Sequence, residues 1–307
     1  SLTLDAGNLF FDRDEIEAKQ LELKQETARL IVDIYNNLKY DAYNVGGHDF
    51  ALGLDFLKEL QAKARFTFIS ANVVDTLTGK PVFEPYKIVK VGNKNFGIIG
   101  VTSVWNEKYR GVGIADPIQT LNKYLPALRK KADYIIVLAA LTAGDENKLG
   151  AIKEKIDFIL MAGSYRYSRN LEVVDGRFIA RCGTTGKYVG IITAEINQPK
   201  KPLQDISNIS VQLESATNRL KSFKTNAGDK SIEEYYADKP TQLKVIRDLQ
   251  ETQNELLRQK SQIVNPVNYE LIELDEKIED DPVIRKKLND FERRMNAKGY
   301  KITPAGD

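Results

Sequence analysis

One cysteine and one histidine in 307 residues remove several kinds of site before any pattern is considered. Cys182 has no second cysteine to join, so no intrachain disulfide forms and the redox compartment is not written in the cysteines. A structural zinc centre draws on about four Cys and His ligands, and Cys182 with His48 makes two. Haem attachment through a C-x-x-C-H sequence is equally excluded within these residues. No apolar run approaches the ~20 residues that cross a bilayer, so no transmembrane segment is expected. The opening residues SLTLDAGNLFF carry neither a basic n-region nor a cleavage motif. An excess of one charge is missing too: 45 Lys plus Arg stand against 43 Asp plus Glu, a net charge of +2. The broad basic surface that phosphate backbones select is not provided, and nucleic acid is not a favoured partner. What remains, 42% hydrophobic with 29% charged residues, is the balance of a soluble globular body.

From residue 1 to about 196, short apolar runs alternate with amphipathic stretches. The runs fall at 2–4, 42–45, 66–70, 96–101, 134–138, 158–161, 177–181 and 190–196. Between them, residues 14–38 place Ile16, Leu23, Ala28, Ile31, Ile34 and Leu38 near helical spacing, and residues 117–131 open with Pro117 behind Asp116 as an N-cap. Strand and helix in alternation predict an α/β layered domain. Residues 81–91, rich in Val, Tyr and Ile, meet Gly92-Asn93 before the run at 95–101, which predicts a hairpin. After Pro199 and Pro202 the texture changes. Leu213, Ala216, Leu220 and Phe223 step by three and four, as do Ile246, Leu249, Gln253, Leu256, Lys260 and Ile263 behind Pro240. Two antiparallel helices of coiled-coil type are expected across 207–264, with 225–230 as a turn and 232–237 extending one helix. A strand at 268–274 and a last helix capped by Asp281-Pro282, with Ile284, Leu288, Phe291 and Met295 on one stripe, complete the chain.

The motifs are arranged in a recognisable order. TLDAGNLFF at 3–11 resembles a strand ending in a Gly-Asp pair, and YNVGGHDFALGLDFL at 43–57 resembles a Gly-Asn-His-Glu loop leading into a helix. ISANVVDTLTGKPVFEPYKIVKVGNKNFGIIGVTS at 69–103 is similar to an alanine-asparagine strand, hairpin and return strand. ADYIIVLAALTAGD at 132–145 resembles a strand that ends in a ligand histidine, IDFILMAGSYRYS at 156–168 a Gly-His-x-His loop, and GTTGKYVGIITAEI at 183–196 the closing strands. Together they resemble the calcineurin-like metallophosphoesterase domain of the 5'-nucleotidase family over about two thirds of the chain. The resemblance implies a metallophosphoesterase-like layered β-sandwich flanked by helices, to which this chain adds an antiparallel helical hairpin. Domain bounds of 1–206, 207–264 and 265–307 follow.

In that family two divalent metals bridged by an aspartate activate water and clamp a phosphoryl group while a histidine stabilises the leaving charge. The resemblance maps the bridging aspartate onto Asn8, the loop asparagine onto Gly47, one ligand histidine onto Ala140 and the last two onto Ser164 and Arg166. His48 remains at the position of the transition-state histidine, followed by Asp49 in place of Glu. No metal ligands and no cofactor are therefore expected within the chain, with His48 a vestigial catalytic residue. Arg166 and Arg169, with Asn8 and Asp49, are candidate ligand-binding residues, since guanidinium groups bind phosphate or carboxylate. The plainer alternative makes Arg166 and Arg169 solvated and His48 structural. Asp5, Asp12, Asp49 and Asp145, all near strand ends, keep open a displaced metal site. The resemblance leaves the family's first strand, with its Asp-x-His motif, without a counterpart, so the native chain is expected to begin upstream of residue 1.

The reading that follows is a catalytically inactive pseudo-phosphoesterase acting as a binding or assembly module. A protein partner or self-association through the helical hairpin goes with it, and the family resemblance implies a periplasmic or extracellular location. Two alternatives stand beside it. One is a metal-dependent phosphohydrolase acting on nucleotides with two divalent metals. The other is the non-haem part of a multihaem cytochrome electron-transfer assembly.

Overall fold

The structure is a computed structural model that describes residues 1–163, 165–199 and 201–302. It divides into two units: Ser1–Ser168, Glu172–Tyr188 and Glu273–Asp307 form the first, and Arg169–Leu171 with Val189–Ile272 the second. The bounds expected at 206 and 264 both fall inside the second unit, and the stretch from Glu273 returns to the first.

The first unit carries three short parallel strands in one sheet, β1 (Leu4–Asp5), β2 (Ala42–Asn44) and β3 (Thr67–Ile69), in that order. A two-stranded sheet pairs β4 (Val73–Asp75) with β7 (Val112–Ile114). A six-stranded sheet holds β5 (Tyr86–Val91), β6 (Lys94–Thr102), β8 (Tyr134–Ala140), β9 (Phe158–Met161), β10 (Glu172–Val174) and β11 (Arg177–Arg181), ordered β10-β11-β9-β8-β6-β5. Its four inner strands run parallel and its two edges are antiparallel hairpin strands. Every residue of β8 and of β11 is buried, which accounts for the continuous apolar run at 134–138, since a parallel strand covered on both faces has no polar side to alternate. The β5–β6 hairpin turns at Gly92, whose φ of 60° is open to glycine.

Helices link the parallel strands as such connections require: α1 (Leu21–Asn37), α2 (Gly53–Lys63), α3 (Pro117–Arg129) and the single turn α4 (Ala143–Glu146). Asp116 caps α3 by accepting from the Gln119 N–H, as expected, and Leu121, Leu125 and Leu128 sit on its buried face against Ile99, Ile135 and Val137. Truncating one of these leucines to alanine costs about 2–5 kcal/mol. The second core is aromatic, with Phe10, Tyr43, Phe50, Phe66, Phe68 and Phe83 packed around the three-stranded sheet. The helix expected from residue 14 starts at Leu21, after a 3-10 turn over Ala18–Gln20. Glu17 is extended, and Asp14 is drawn away into side-chain bonds described below.

In the second unit β12 (Tyr188–Ala194), β13 (Gln204–Asp205) and β14 (Pro266–Glu273) form a sheet ordered β12-β14-β13; its end residues Tyr188 and Glu273 are counted with the first unit. The helices α5 (Ser207–Ala227) and α7 (Pro240–Gln262) lie together, joined through α6 (Ile232–Tyr235), whose Ser231 and Glu234 make a capping box. Ala216 faces the partner helix with Ile246, Leu249 and Leu256, all buried, while Gln253 donates to Thr217 at 2.8 Å beside them. Back in the first unit, α8 (Pro282–Ala297) is capped by Asp281, buries Phe291 and Met295, and lies against α1 through Lys287–Asp33, Arg294–Glu26 and Lys298–Glu22 pairs.

Candidate functional site

The strand ends of the first unit bring together most of the residues marked in the sequence. Asn8, in the loop after β1, adopts φ 58°, and its side-chain carbonyl accepts from the His48 N–H at 3.1 Å. A Cβ added at Gly46 would run into Asn8, and one added at Gly47 into the Val104 carbonyl oxygen. A Cβ at Gly7 would meet Ala140 at 3.4 Å, and one at Gly163 the Asn8 amide nitrogen at 3.6 Å. The ends of β1, β2, β6, β8 and β9 therefore converge on one place, with Asn8 in its middle. Ser164 lies outside the described residues.

His48 occupies a short 3-10 turn, His48–Phe50, and is half-buried. Its Nδ1 is 2.6 Å from Asp14 Oδ1. The same carboxylate accepts from Tyr109 Oη at 2.8 Å and Asn106 Nδ2 at 3.0 Å, both from the loop after β6. Burial pushes the Asp14 carboxyl up, but hydrogen bonds from His48, Tyr109 and Asn106 outweigh it and hold it below the usual carboxylate value. An ionised Asp14 favours the tautomer with a proton on Nδ1, leaving Nε2 as the acceptor. Asp14 was concealed in the sequence by a helical pattern that begins seven residues too early, and Asn106 and Tyr109 by a loop without a motif.

Asp49 is 1% exposed and turned into the protein. Its Oδ1 accepts from the Phe10 N–H at 2.9 Å, and its Oδ2 accepts from the Gly46 N–H at 2.8 Å and from the Tyr43 hydroxyl. It thus ties the loop after β1 to the loop after β2. Burial raises its pKa to about 6 against the pull of those three donors, with a smaller upward push from Asp5. The other carboxylates near strand ends are engaged separately. Asp5 accepts from the Gly7 N–H and the Tyr35 hydroxyl, Asp12 pairs with Arg13 and Lys24, and Asp145 with Lys148.

Arg166, in the loop after β9, reaches both carboxylate oxygens of Glu146 at 3.3 Å. Glu146 ends α4, just past Ala140 of β8, and also receives the guanidinium of Arg181. Arg181 is 1% exposed and donates from Nε to Glu172 Oε1 at 3.1 Å; Ser168 Oγ donates to the same oxygen at 3.1 Å. Sequence reasoning missed this chain, because Arg181 closes an apolar run and reads as a strand-flanking charge. Arg169 is counted with the second unit, and Arg166, Asn8 and Asp49 with the first.

The fold family implies two divalent metals at these loop tips, and the residues present do not fit them. Among the described residues no group of three or more His, Cys, Asp or Glu side chains stands together as a metal site. Gly47 has no room for a side chain, and Asn8 is a neutral amide already bonded to His48. A carboxylate bridge and imidazole donors are what such a pair of cations requires.

Parallel strands whose loops converge at their carboxyl ends define a metallophosphoesterase-like α/β fold. No protein-family model matches the chain. It is 34% identical over 158 residues, 45% of its own length and 24% of the other's, to a 2',3'-cyclic-nucleotide 2'-phosphodiesterase/3'-nucleotidase of Salmonella typhimurium. A 5'-nucleotidase precursor of Thermus thermophilus superposes with TM-score 0.58 at 19% identity over 98% of this chain and 51% of that one, a likeness of fold. The calcineurin-like phosphoesterase YfkN of Bacillus subtilis superposes with TM-score 0.51 at 25% identity, covering 62% of this chain and 70% of that one. The chain is thus a relative of the 5'-nucleotidase family of calcineurin-like phosphoesterases, and it spans less than a quarter of the length of the first curated relatives it matches. Among the described residues no helix is long and apolar enough to cross a membrane.

Proposed function

We propose that this chain is a pseudo-phosphoesterase, a metallophosphoesterase-like domain that has exchanged dinuclear metal chemistry for a binding or assembly role outside the cytoplasm. The observation that supports this most is the crowding at the strand ends. Val104 closes the space that a donor side chain at Gly47 needs, and Asn8 folds onto the His48 backbone. Arg166, a fixed cation paired with Glu146, stands in the loop that the family uses for two histidines. The hairpin of α5 and α7 is the element proposed to meet another protein chain, with Val211 and Leu257 exposed on it. Deleting 207–264 is expected to leave the first unit folded and abolish assembly; an unchanged oligomeric state by light scattering excludes the hairpin as the contact.

A second reading, hydrolysis of a nucleotide phosphoester, is favoured by one observation. Asp14 orients His48 as a catalytic histidine is oriented, with Nε2 left to exchange a proton. Assay of the full chain on nucleoside monophosphates and 2',3'-cyclic nucleotides with added divalent metal separates the two. The first reading expects turnover equal to buffer; turnover that vanishes in His48→Ala establishes the second.

A further inference from the structure

Four alternating charges run from the connections after β8 and β9 to the strands β10 and β11. Arg166 meets Glu146, Glu146 meets Arg181, and Arg181 meets Glu172. The two cations balance the two carboxylates. Exposure is graded along the chain: the Arg181 side chain is 1% exposed, Glu146 19%, Glu172 45% and Arg166 66%. The buried member is the one that branches, and only a guanidinium has the geometry for it, because Nη and Nε donate along different directions from one rigid plane. Its partners come from three connections. Glu146 stands in α4 after β8, Ser168 in the loop after β9, and Glu172 in the edge strand β10. The Ser168 N–H also donates to the Arg181 carbonyl at 2.9 Å, so the side chain and the backbone of one residue both anchor the loop after β9.

Metal ions in the fold family would gather these same strand-end loops around positive charge. Here the donors do not suit a metal, and a guanidinium network is present in the loops instead. We infer that the Arg166–Glu146–Arg181–Glu172 chain takes over the positioning task of the absent metals, so that Arg181 acts as an internal cation holding the loops after β8 and β9. The inference rests on the reading that this site binds no metal pair. Arg181 is a positioning residue and Arg166 its solvent-facing extension. The loops are then ordered at any metal concentration, and their order depends on charge pairing inside the chain. Removing the buried guanidinium leaves the Glu146 carboxylate with only the exposed Arg166 as a cation, whereas removing Arg166 leaves the branch point intact.

Amide hydrogen exchange on the full chain tests this, with wild type, Arg181→Met, Arg181→Lys and Arg166→Ala compared in EDTA and in manganese. In Arg181→Met the amides of 144–148 and 165–168 are expected to lose about tenfold more protection than those of β6 and β8. Arg181→Lys restores part of it, since the charge returns without the fork. Arg166→Ala, an exposed change that leaves the fold secure, loosens 165–168 alone. Wild type exchanges alike in EDTA and manganese. Uniform loss across loops and strands in Arg181→Met, or unchanged loops in both Arg181→Met and Arg166→Ala, overturns the inference. Loops that loosen in EDTA and tighten in manganese overturn it together with the metal-free reading. Metal-insensitive loops that also ignore both arginine variants overturn the inference alone.

Discussion

The strand ends of the first unit are held in two contrasting ways. Around β1 and β2 the hub is a buried carboxylate, Asp49, whose three donors are neutral: two backbone N–H groups and the Tyr43 hydroxyl. Around β8, β9 and β11 the hub is a buried guanidinium, Arg181, whose partners Glu146 and Glu172 are charged. The difference lies in what compensates the buried charge. Neutral donors offset only part of the desolvation of Asp49, so its pKa rises to about 6. Arg181 is neutralised by the carboxylates of Glu146 and Glu172. One hub is therefore sensitive to protons and the other to the loss of a partner.

The largest effect is expected at the guanidinium hub. Arg181→Met leaves Glu146 and Glu172 without their shared cation and is expected to cost about 3–5 kcal/mol of stability, as breaking a buried pair does. Urea unfolding measures it, and a cost below about 1 kcal/mol erases the contrast between buried and exposed members of the chain. Next comes Gly47→Ala. Its backbone conformation suits alanine, so the whole cost is the clash with the Val104 carbonyl, about 1–3 kcal/mol from strain. A neutral result by thermal unfolding would mean that the loop after β6 yields easily and that a donor side chain fits there after all.

The carboxylate hub sharpens the comparison through pH. The folded pKa of Asp49 is raised above the ordinary 3.8 to about 6, so the native state holds its proton more tightly than the unfolded chain does. Its contribution is fully present below about pH 4 and is lost as pH rises through about 6. Asp49→Asn keeps a neutral side chain at every pH and is expected to remove that decline, flattening the stability curve between pH 4 and 7 by at most about 3 kcal/mol. Equal pH slopes in variant and wild type would show that the three donors compensate the charge after all.

Much of the fold was legible in the sequence because burial on both faces writes itself as apolar runs. The strands at 134–138, 158–161 and 177–181, the hairpin at Gly92 and the caps Asp116 and Asp281 all stand where composition and spacing put them. The candidate site was legible as positions: Asn8, Gly47 and Ala140 converge as their motif order implied. The partners were not. Asp14 sits at apparent helical spacing yet bonds across to residues 34, 92 and 95 positions away. Arg181 sits in a strand whose neighbours in the sheet set its surroundings. Periodicity reports which face of an element is buried and carries no information on which distant polar group meets it. The expected bound at 206 fell inside the second unit for a related reason: β13 and β14 pair across the segment that carries α5, α6 and α7.

The contrast between the two hubs rests on one claim, that these loop ends are held by the chain's own charges and hydrogen bonds and not by metal. Elemental analysis of the purified full-length protein, after dialysis against manganese, zinc and iron in turn, tests that claim most directly. The account predicts well under one equivalent of any of them per chain. Near two equivalents of any one of them would contradict it.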